Sequence, residues 1–317
     1  MSKIILSILK LMYNLLIVII IIILLYNIYY LYNIYYLYKP SIEPFISNIE
    51  LPNNIWLYWE NKPNSIKPVY LDLCFETIKK HNTNNFKIHL LNQTTVYHFL
   101  PTMRRYLDKY LTIPQKADYI RLLLLQKYGG IWLDSDIIVI RNLYPILQKL
   151  KDYDYVGFGC HSKKCHINTS GYPKPANWVM VSRKNGKLVT KCLDIANNML
   201  DTKPNIFSKQ YHVLGRNLLW NSIDILLKED KYWNYYHYDS KCIERDSNGN
   251  KLINKRSLSN EDIDQKCIDK YLFIPIYNTA PGFPKWFRIM DRKTLLNSSM
   301  LISKLFRNSL SSSSISR

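Results

Sequence analysis

Ala117-Asp118-Tyr119-Ile120-Arg121-Leu122-Leu123-Leu124-Leu125-Gln126-Lys127-Tyr128-Gly129-Gly130-Ile131-Trp132-Leu133-Asp134-Ser135-Asp136 decides the fold. Leu122 to Leu125, with Ile120 and Tyr128, make a helix apolar over most of its circumference and therefore largely buried. Gly129-Gly130 admit the positive φ that ends a helix. A short apolar strand follows, and two carboxylates one residue apart stand at its end. If that run stays extended, Asp134 and Asp136 project to the same side, because side chains in a strand alternate faces. Both can then serve one hard cation, directly or through water. Mg²⁺ and Mn²⁺ prefer carboxylate, water and phosphate oxygens, so the layout suits a divalent cation bridging a diphosphate.

Asp118 and Arg121 lie three apart, on one helical face. Two readings stand side by side. The pair is an intrahelical salt bridge, or it faces the same cleft as the aspartates and binds the hydroxyls of a sugar.

The run from Ala117 to Asp136 resembles the signature of glycosyltransferase family 32 and the related capsular polysaccharide synthesis proteins, a sugar-binding region with an Asp-x-Asp motif. The resemblance is specific over roughly Ile55 to Asn142. It implies a GT-A type nucleotide-sugar-binding fold, a divalent metal and retention of anomeric configuration. It also implies that Asp118 and Arg121 contact the donor sugar, and that Asp134 and Asp136 contact ribose, sugar and metal. Trp132 departs from the pattern, which usually has a Tyr or similar residue before the Leu-Asp step.

Toward the amino terminus, Leu11 to Tyr38 carries no charge, and Leu15 to Leu25 is almost wholly Leu, Ile and Val. About 20 apolar residues span a bilayer core. Lys3 and Lys10 precede this segment and basic residues tend to stay cytoplasmic, so a type II orientation is expected, with the following domain lumenal or extracytoplasmic. The apolar run is too long for a cleaved signal peptide, and no small-residue cleavage site follows it. Leu25-Tyr26-Asn27-Ile28-Tyr29-Tyr30 repeats at Leu31 to Tyr36, a short duplication whose tyrosines suit a membrane interface.

The expected organisation is a cytoplasmic terminus (1–10), a signal anchor (11–38), a stem (39–54) containing Pro40, Pro44 and Pro52, a catalytic domain (55–306) and a disordered serine-rich tail (307–317). Within the domain, strands at Ile55–Trp59 and Lys87–Leu91 alternate with helices near Val69–His81 and Gln115–Tyr128. That alternation predicts an α/β fold with a mostly parallel central sheet and helices on both faces. Ligands of such sheets gather at the carboxyl ends of the strands, where Asp134 and Asp136 fall.

The net charge of +19 is high enough to raise nucleic acid as a partner. The 43 basic residues are dispersed, without a long Lys/Arg block or zinc-finger spacing, and Ile, Asn, Lys and Tyr are all abundant, as an AT-rich coding bias produces. No nucleic acid is expected; an anionic donor or an acidic membrane surface accounts for the field as well. The six cysteines permit three disulfides in an oxidising lumen. Cys160-His161-Ser162-Lys163-Lys164-Cys165-His166 lacks the second ligand pair of a zinc site and reads as a loop-closing disulfide or free thiols. Sequons stand at Asn92, Asn168 and Asn297.

Trp59 ends the first strand, and the resemblance implies a residue there that stacks on the nucleotide base, with Trp56 in the same or an adjacent layer. Tyr277 to Trp286 reads as a turn-rich loop that either closes over the donor or docks on the core. His212, or else His237, completes the metal shell with Asp134 and Asp136 if the resemblance holds to that depth. No residue stands out as a general base. The function these features predict is a metal-dependent hexosyltransferase, moving a hexose from a nucleotide sugar to a hydroxyl of a glycan or glycoprotein. Its rivals are a catalytically silent membrane-anchored carbohydrate-binding protein and a metal-dependent phosphodiesterase, the latter short of the clustered carboxylates and histidines it would need.

Overall fold

The computed structural model describes residues 2–38, 50–159, 174–238, 258–268, 272–276 and 283–311. Cys160 to His166, the sequon at Asn168, residues 277–282 of the aromatic loop, 39–49 of the stem and 312–317 of the tail lie outside them. The chain divides into two units, Met1–Glu50 and Leu51–Arg317.

The first unit is the helix α1 (Ser2–Tyr38). Within it Ile8–Leu31 is 24 residues long, with none of its described residues buried, and apolar enough to cross a membrane. At 1.5 Å per residue that stretch measures about 36 Å, against about 30 Å for a hydrocarbon core.

The second unit holds the strands β1 (Asn54–Tyr58), β2 (Lys87–Leu91), β3 (Gly130–Leu133), β4 (Ile137–Val139), β5 (Tyr155–Phe158), β6 (Ala176–Ser182), β7 (Tyr235–Tyr238) and β8 (Phe273–Pro275). Its helices are α2 (Val69–Asn82), α3 (Val96–Phe99), α4 (Ile113–Tyr128), α5 (Tyr144–Gln148), α6 (Lys187–Thr202), α7 (Ile206–Lys209), α8 (Arg216–Glu229), α9 (Gln265–Ile268), α10 (Lys285–Arg288), α11 (Arg292–Asn297) and α12 (Leu301–Ser311). Six strands form one sheet in the order β2-β1-β3-β6-β5-β7, and β4 pairs with β8 in a separate ribbon. The pairs β1/β2, β1/β3 and β5/β7 are parallel, whereas β6 is antiparallel to both β3 and β5. Five strands therefore share one direction and β6 alone is reversed. The mostly parallel sheet expected from the alternation is present, with this one inversion at its centre.

Two cores flank the sheet, as alternation within each strand requires. Trp56, Trp132 and Met180 face one core together with α4, α6 and α8. Ile55, Leu57, Ile131 and Leu133 face the other, with α2, β4 and α12. Trp56 and Trp59 are three residues apart and fall on opposite faces of the sheet, so of the same or an adjacent layer it is not the same one. Trp56 is core: its ring stacks on His89 with centroids 4.3 Å apart, and its Nε1 donates to the Gly129 carbonyl at 2.9 Å.

Helix α4 begins where a capping box forms, with the Thr112 N–H donating to Gln115 Oε1 at 3.0 Å and Pro114 in the first turn. It ends at the diglycine, where Gly129 takes φ +67° and Gly130 φ +107°. A Cβ on Gly130 would lie 2.4 Å from the Asn54 carbonyl, so this glycine also permits β3 to run beside β1.

Two boundaries and the cysteine pairing differ from the sequence reading. The folded unit begins at Leu51, inside the expected stem, because Leu51 packs on the core and Pro52 lies against Gly129. The serine-rich segment is not a disordered tail from residue 307: α12 continues through Ser311. Leu301, Ile302, Leu305 and Phe306 form a buried stripe, and Ser309 continues it because a small hydroxyl fits against β4, donating to the Val139 carbonyl at 2.6 Å. Finally, Cys74 and Cys192 are free and buried, so a three-disulfide framework does not exist.

Phe306 is fully buried, so Phe306→Ala should cost about 3–5 kcal/mol of stability, as a large aromatic truncation in a packed core does. The shift of the urea midpoint measures it; a change under 1 kcal/mol would return this segment to the status of a loose tail.

Candidate active site

Arg121 stands at the centre of the site. Its Nη2 lies 2.9 Å from Asp118 Oδ1 and 3.2 Å from Asp134 Oδ1, and its Nη1 donates to the Asn177 carbonyl. The guanidinium lies 4.9 Å from the Trp132 ring centroid, a cation–π contact. Trp132 Nε1 in turn donates to Asp134 Oδ1 at 2.9 Å. The tryptophan that departs from the family pattern thus carries the arginine on its face and orients the carboxylate with its edge. Asn177 Nδ2 donates to Asp118 Oδ1 at 2.8 Å.

The backbone explains this convergence. Asp118 and Arg121 share one face of α4, and Asp134 is the first residue after β3. Asn177 sits near the start of β6, and because β6 is reversed its beginning lies at the carboxyl end of β3. Gly215, the residue before α8, closes the inner side: a Cβ there would lie 2.7 Å from Asp118 Oδ2 and 2.8 Å from Asn177 Nδ2. Asp118, Arg121, Asn177 and Gly215 line a cavity of about 10 Å³, room for no more than a water.

Burial and charge are graded across the group. Asp118 and Arg121 are 9 % and 5 % exposed, while about a third of the Asp134 side chain remains open. Burial pushes the Asp118 carboxyl up to about 6, against the pull of Arg121, with the Asp134 charge adding to the rise and the Asn177 hydrogen bond opposing it. Burial raises Asp134 as well, opposed by Arg121 and Trp132. The salt bridge foreseen for Asp118 and Arg121 is present, and Asp134 joins it.

Asp136 keeps different company. Asp134-Ser135-Asp136 is a turn between β3 and β4 rather than extended strand, so the alternation that would have set both carboxylates on one side does not apply. The Asp136 carbonyl accepts from the Ile276 N–H at 2.8 Å. Its carboxylate acts electrostatically on the Cys74 thiol in the core facing α2, whereas Asp134 is tied to Arg121 beside α4. His212 is exposed on the turn before α8 beside the Tyr211 ring, 4.9 Å between centroids, and the expected Asp134–Asp136–His212 set is not assembled: among the described residues no three His, Cys, Asp or Glu side chains gather as a metal cluster. His237 lies on β7, three strands from β3 and so about 14 Å across the sheet, too far to share an ion with Asp134. The carboxylates present still fit a hard cation of the Mg²⁺ type, which takes one or two protein carboxylates and fills its shell with water and substrate oxygens.

Trp59 lies just past β1 at the same edge of the sheet, half-buried, with its Nε1 donating to Asn61 Oδ1 at 2.7 Å. Asn177 and Gly215 escaped the sequence reading because they reach the site only through the reversal of β6 and the packing of α8. Tyr211 escaped it too; it is 52 % exposed and within electrostatic reach of Asp118, Asp134 and Arg121.

Gly215→Ala should displace the Asp118 carboxylate and the Asn177 amide while costing about 1–3 kcal/mol, the usual range for overpacking. We expect a folded protein whose turnover falls more than tenfold. Unchanged turnover would show that the inner wall of the site does not constrain the chemistry.

Comparison with known proteins places this geometry. The chain is 22 % identical to the O-glycosyltransferase braB of Annulohypoxylon truncatum, over 52 % of its own length and 42 % of that protein's. It therefore spans less than half of this curated relative. Among solved structures, the PaToxG glycosyltransferase matches 57 % of this chain and 70 % of its own at 15 % identity and a TM-score of 0.35. The apo-form glycosyltransferase GlyE of Streptococcus pneumoniae TIGR4 matches 81 % of this chain and 64 % of its own at 13 % identity and a TM-score of 0.37. The model of the capsular polysaccharide synthesis proteins matches residues 35–246, from the end of α1 past β7, and takes in every residue of the Arg121 node. The chain belongs to the capsular polysaccharide synthesis protein family.

Proposed function

We propose that this protein is a glycosyltransferase that moves a hexose from a nucleotide sugar to a hydroxyl of a glycan or glycoprotein, with retention and with a divalent metal. The observation that carries the reading is the Arg121 node. It presents a partly open carboxylate, Asp134, at the carboxyl edge of a mostly parallel sheet, the place where such sheets bind their ligands. Family membership and the curated O-glycosyltransferase relative support the same class of reaction.

In this reading Trp59 meets the base at the end of β1. Asp134 meets the ribose and the donor sugar, held at a fixed angle by Trp132 and Arg121. Asp118 and Arg121 hold the hexose while the acceptor hydroxyl approaches, converting an encounter into an oriented pair. With a water-sized cavity on the inner side, the sugar reaches them after the Tyr211–Gly215 turn shifts outward. Mn²⁺ or Mg²⁺ held by Asp136 and Asp134 would neutralise charge on the leaving diphosphate. The acceptor's proton passes to the leaving phosphate, since no side chain at the node is free to act as a base.

Hydrolysis and transfer should be assayed over UDP- and GDP-sugars with and without Mn²⁺. We expect one donor to turn over with metal. Asp136→Asn should abolish the metal-dependent part, and Asp118→Asn should lower turnover by roughly 10- to 1000-fold, about 1.4–4 kcal/mol, while nucleoside diphosphate still binds. No turnover with any donor, or full Mn²⁺ stimulation in Asp136→Asn, would refute the assignment.

The same reading makes α1 a signal anchor with the second unit lumenal or extracytoplasmic, supported by its apolar length and by Lys3 and Lys10 at its amino-terminal end, ahead of the uncharged run from Leu11 to Tyr38. Protease added outside sealed vesicles of native orientation should leave the second unit intact. Its digestion from the cytoplasmic side would reverse the topology.

A further inference from the structure

We infer that Lys116 is a positioning residue for the nucleotide, locking the loop after β1 so that Trp59 stands ready to receive the base. The inference rests on the proposed role of Trp59. Lys116 lies on α4 two residues before Asp118 and is 5 % exposed. Its ammonium is 2.6 Å from Glu60 Oε2 and 2.5 Å from Asp108 Oδ1. Glu60 is the residue after Trp59, and its Oε2 also accepts from the Tyr58 hydroxyl at 2.6 Å. The Tyr58 carbonyl accepts from Ser135 Oγ at 2.9 Å, which ties the same loop to the turn between Asp134 and Asp136. Trp59 itself is fixed by its N–H on the Leu91 carbonyl, 2.9 Å, and by its indole on Asn61. One ammonium therefore joins α4, the loop carrying Trp59 and the segment carrying Asp108.

A buried ion pair is a poor device for stability alone, because its desolvation offsets its attraction; a pair of apolar side chains would hold α4 to this loop equally well. What the pair adds is direction. Glu60 accepts two donors at one oxygen, and that leaves residues 58–61 a single geometry, whereas an apolar contact would let the loop slide. The Asp108 side chain is 74 % exposed and Glu60 only 14 %, so Glu60 is the partner that fixes position. A direct contact between Lys116 and a diphosphate would require the ammonium to leave these carboxylates.

The test is calorimetric titration of the full chain in detergent with uridine and guanosine mono- and diphosphates. Wild type is compared with Lys116→Met, Glu60→Gln, Trp59→Ala and the double variant Lys116→Met/Trp59→Ala. For the base that binds, Lys116→Met and Glu60→Gln should each weaken the mono- and the diphosphate alike, by about tenfold. The double variant should bind no more weakly than Trp59→Ala, and in Lys116→Met and Glu60→Gln the loss should appear in KM, with kcat within about threefold of wild type. A loss confined to the diphosphate would make Lys116 a phosphate ligand and overturn the inference. So would unchanged affinity in Lys116→Met and Glu60→Gln when Trp59→Ala binds weakly, and this result leaves the role of Trp59 standing. An unaffected Trp59→Ala overturns the placement of the base and the inference together, and a wild type that binds no nucleotide overturns the donor class as well. Lys116→Arg, which keeps the charge, should bind as wild type does; with Glu60→Gln it supplies the test if Lys116→Met fails to fold.

Discussion

A buried guanidinium with two carboxylates on one of its nitrogens is the constraint from which the rest of the second unit follows. Arg121 cannot shed its charge, and it sits in a core of leucines, so its donors must be met by fixed acceptors. Asp118, Asp134 and the Asn177 carbonyl meet them. Each acceptor belongs to a different part of the chain, and the three can coincide only if β3 ends beside the middle of α4 and β6 begins there. The reversal of β6 is what allows the second condition. A side chain at Gly215 would displace the Asp118 carboxylate and the Asn177 amide, so closely does the start of α8 approach them.

The first two turns of α4 extend the same logic outward. Gln115 donates to the Phe207 and Gln210 carbonyls, Lys116 reaches Glu60 and Asp108, and Asp118 reaches Arg121 and Asn177. Three nearly consecutive polar side chains, all buried, thus hold other segments of the chain, among them α7, the loop after β1 and the start of β6. A helix needed only for packing would place apolar residues there. The polar start and apolar remainder of α4 correspond to its two tasks, organising the edge and filling the core.

The division of labour between the two aspartates has a mechanistic consequence. A turn separates them: Asp134 is bound by Trp132 and Arg121, and the Asp136 carbonyl accepts from the Ile276 N–H. In the proposed reaction Asp134 recognises the sugar and Asp136 serves the metal and diphosphate. A protein that leaves part of the cation's shell to its substrate couples metal affinity to donor binding.

The sequence by itself determined the local features. The apolar run of α4, the diglycine stop, β1 and β2, and the apolar α1 are all set by residues a few positions apart, and each is present where periodicity and turn chemistry put it. It also determined the pair Asp118 and Arg121, because three residues on a helix always share a face. Tertiary structure decided the rest. Whether Asp134 and Asp136 act together depended on a turn whose geometry is imposed by β4 pairing with β8, far along the chain. That Ser309 would lie in a buried helix depended on a hydroxyl finding the Val139 carbonyl 170 residues away. Asn177 and Gly215 became part of the site through a reversed strand and a close helix approach, neither of which leaves a periodic mark. Hydrophobic period and capping act over one or two turns of chain and are legible in sequence. The partners that a buried charge will find are fixed only when the strands have chosen their order.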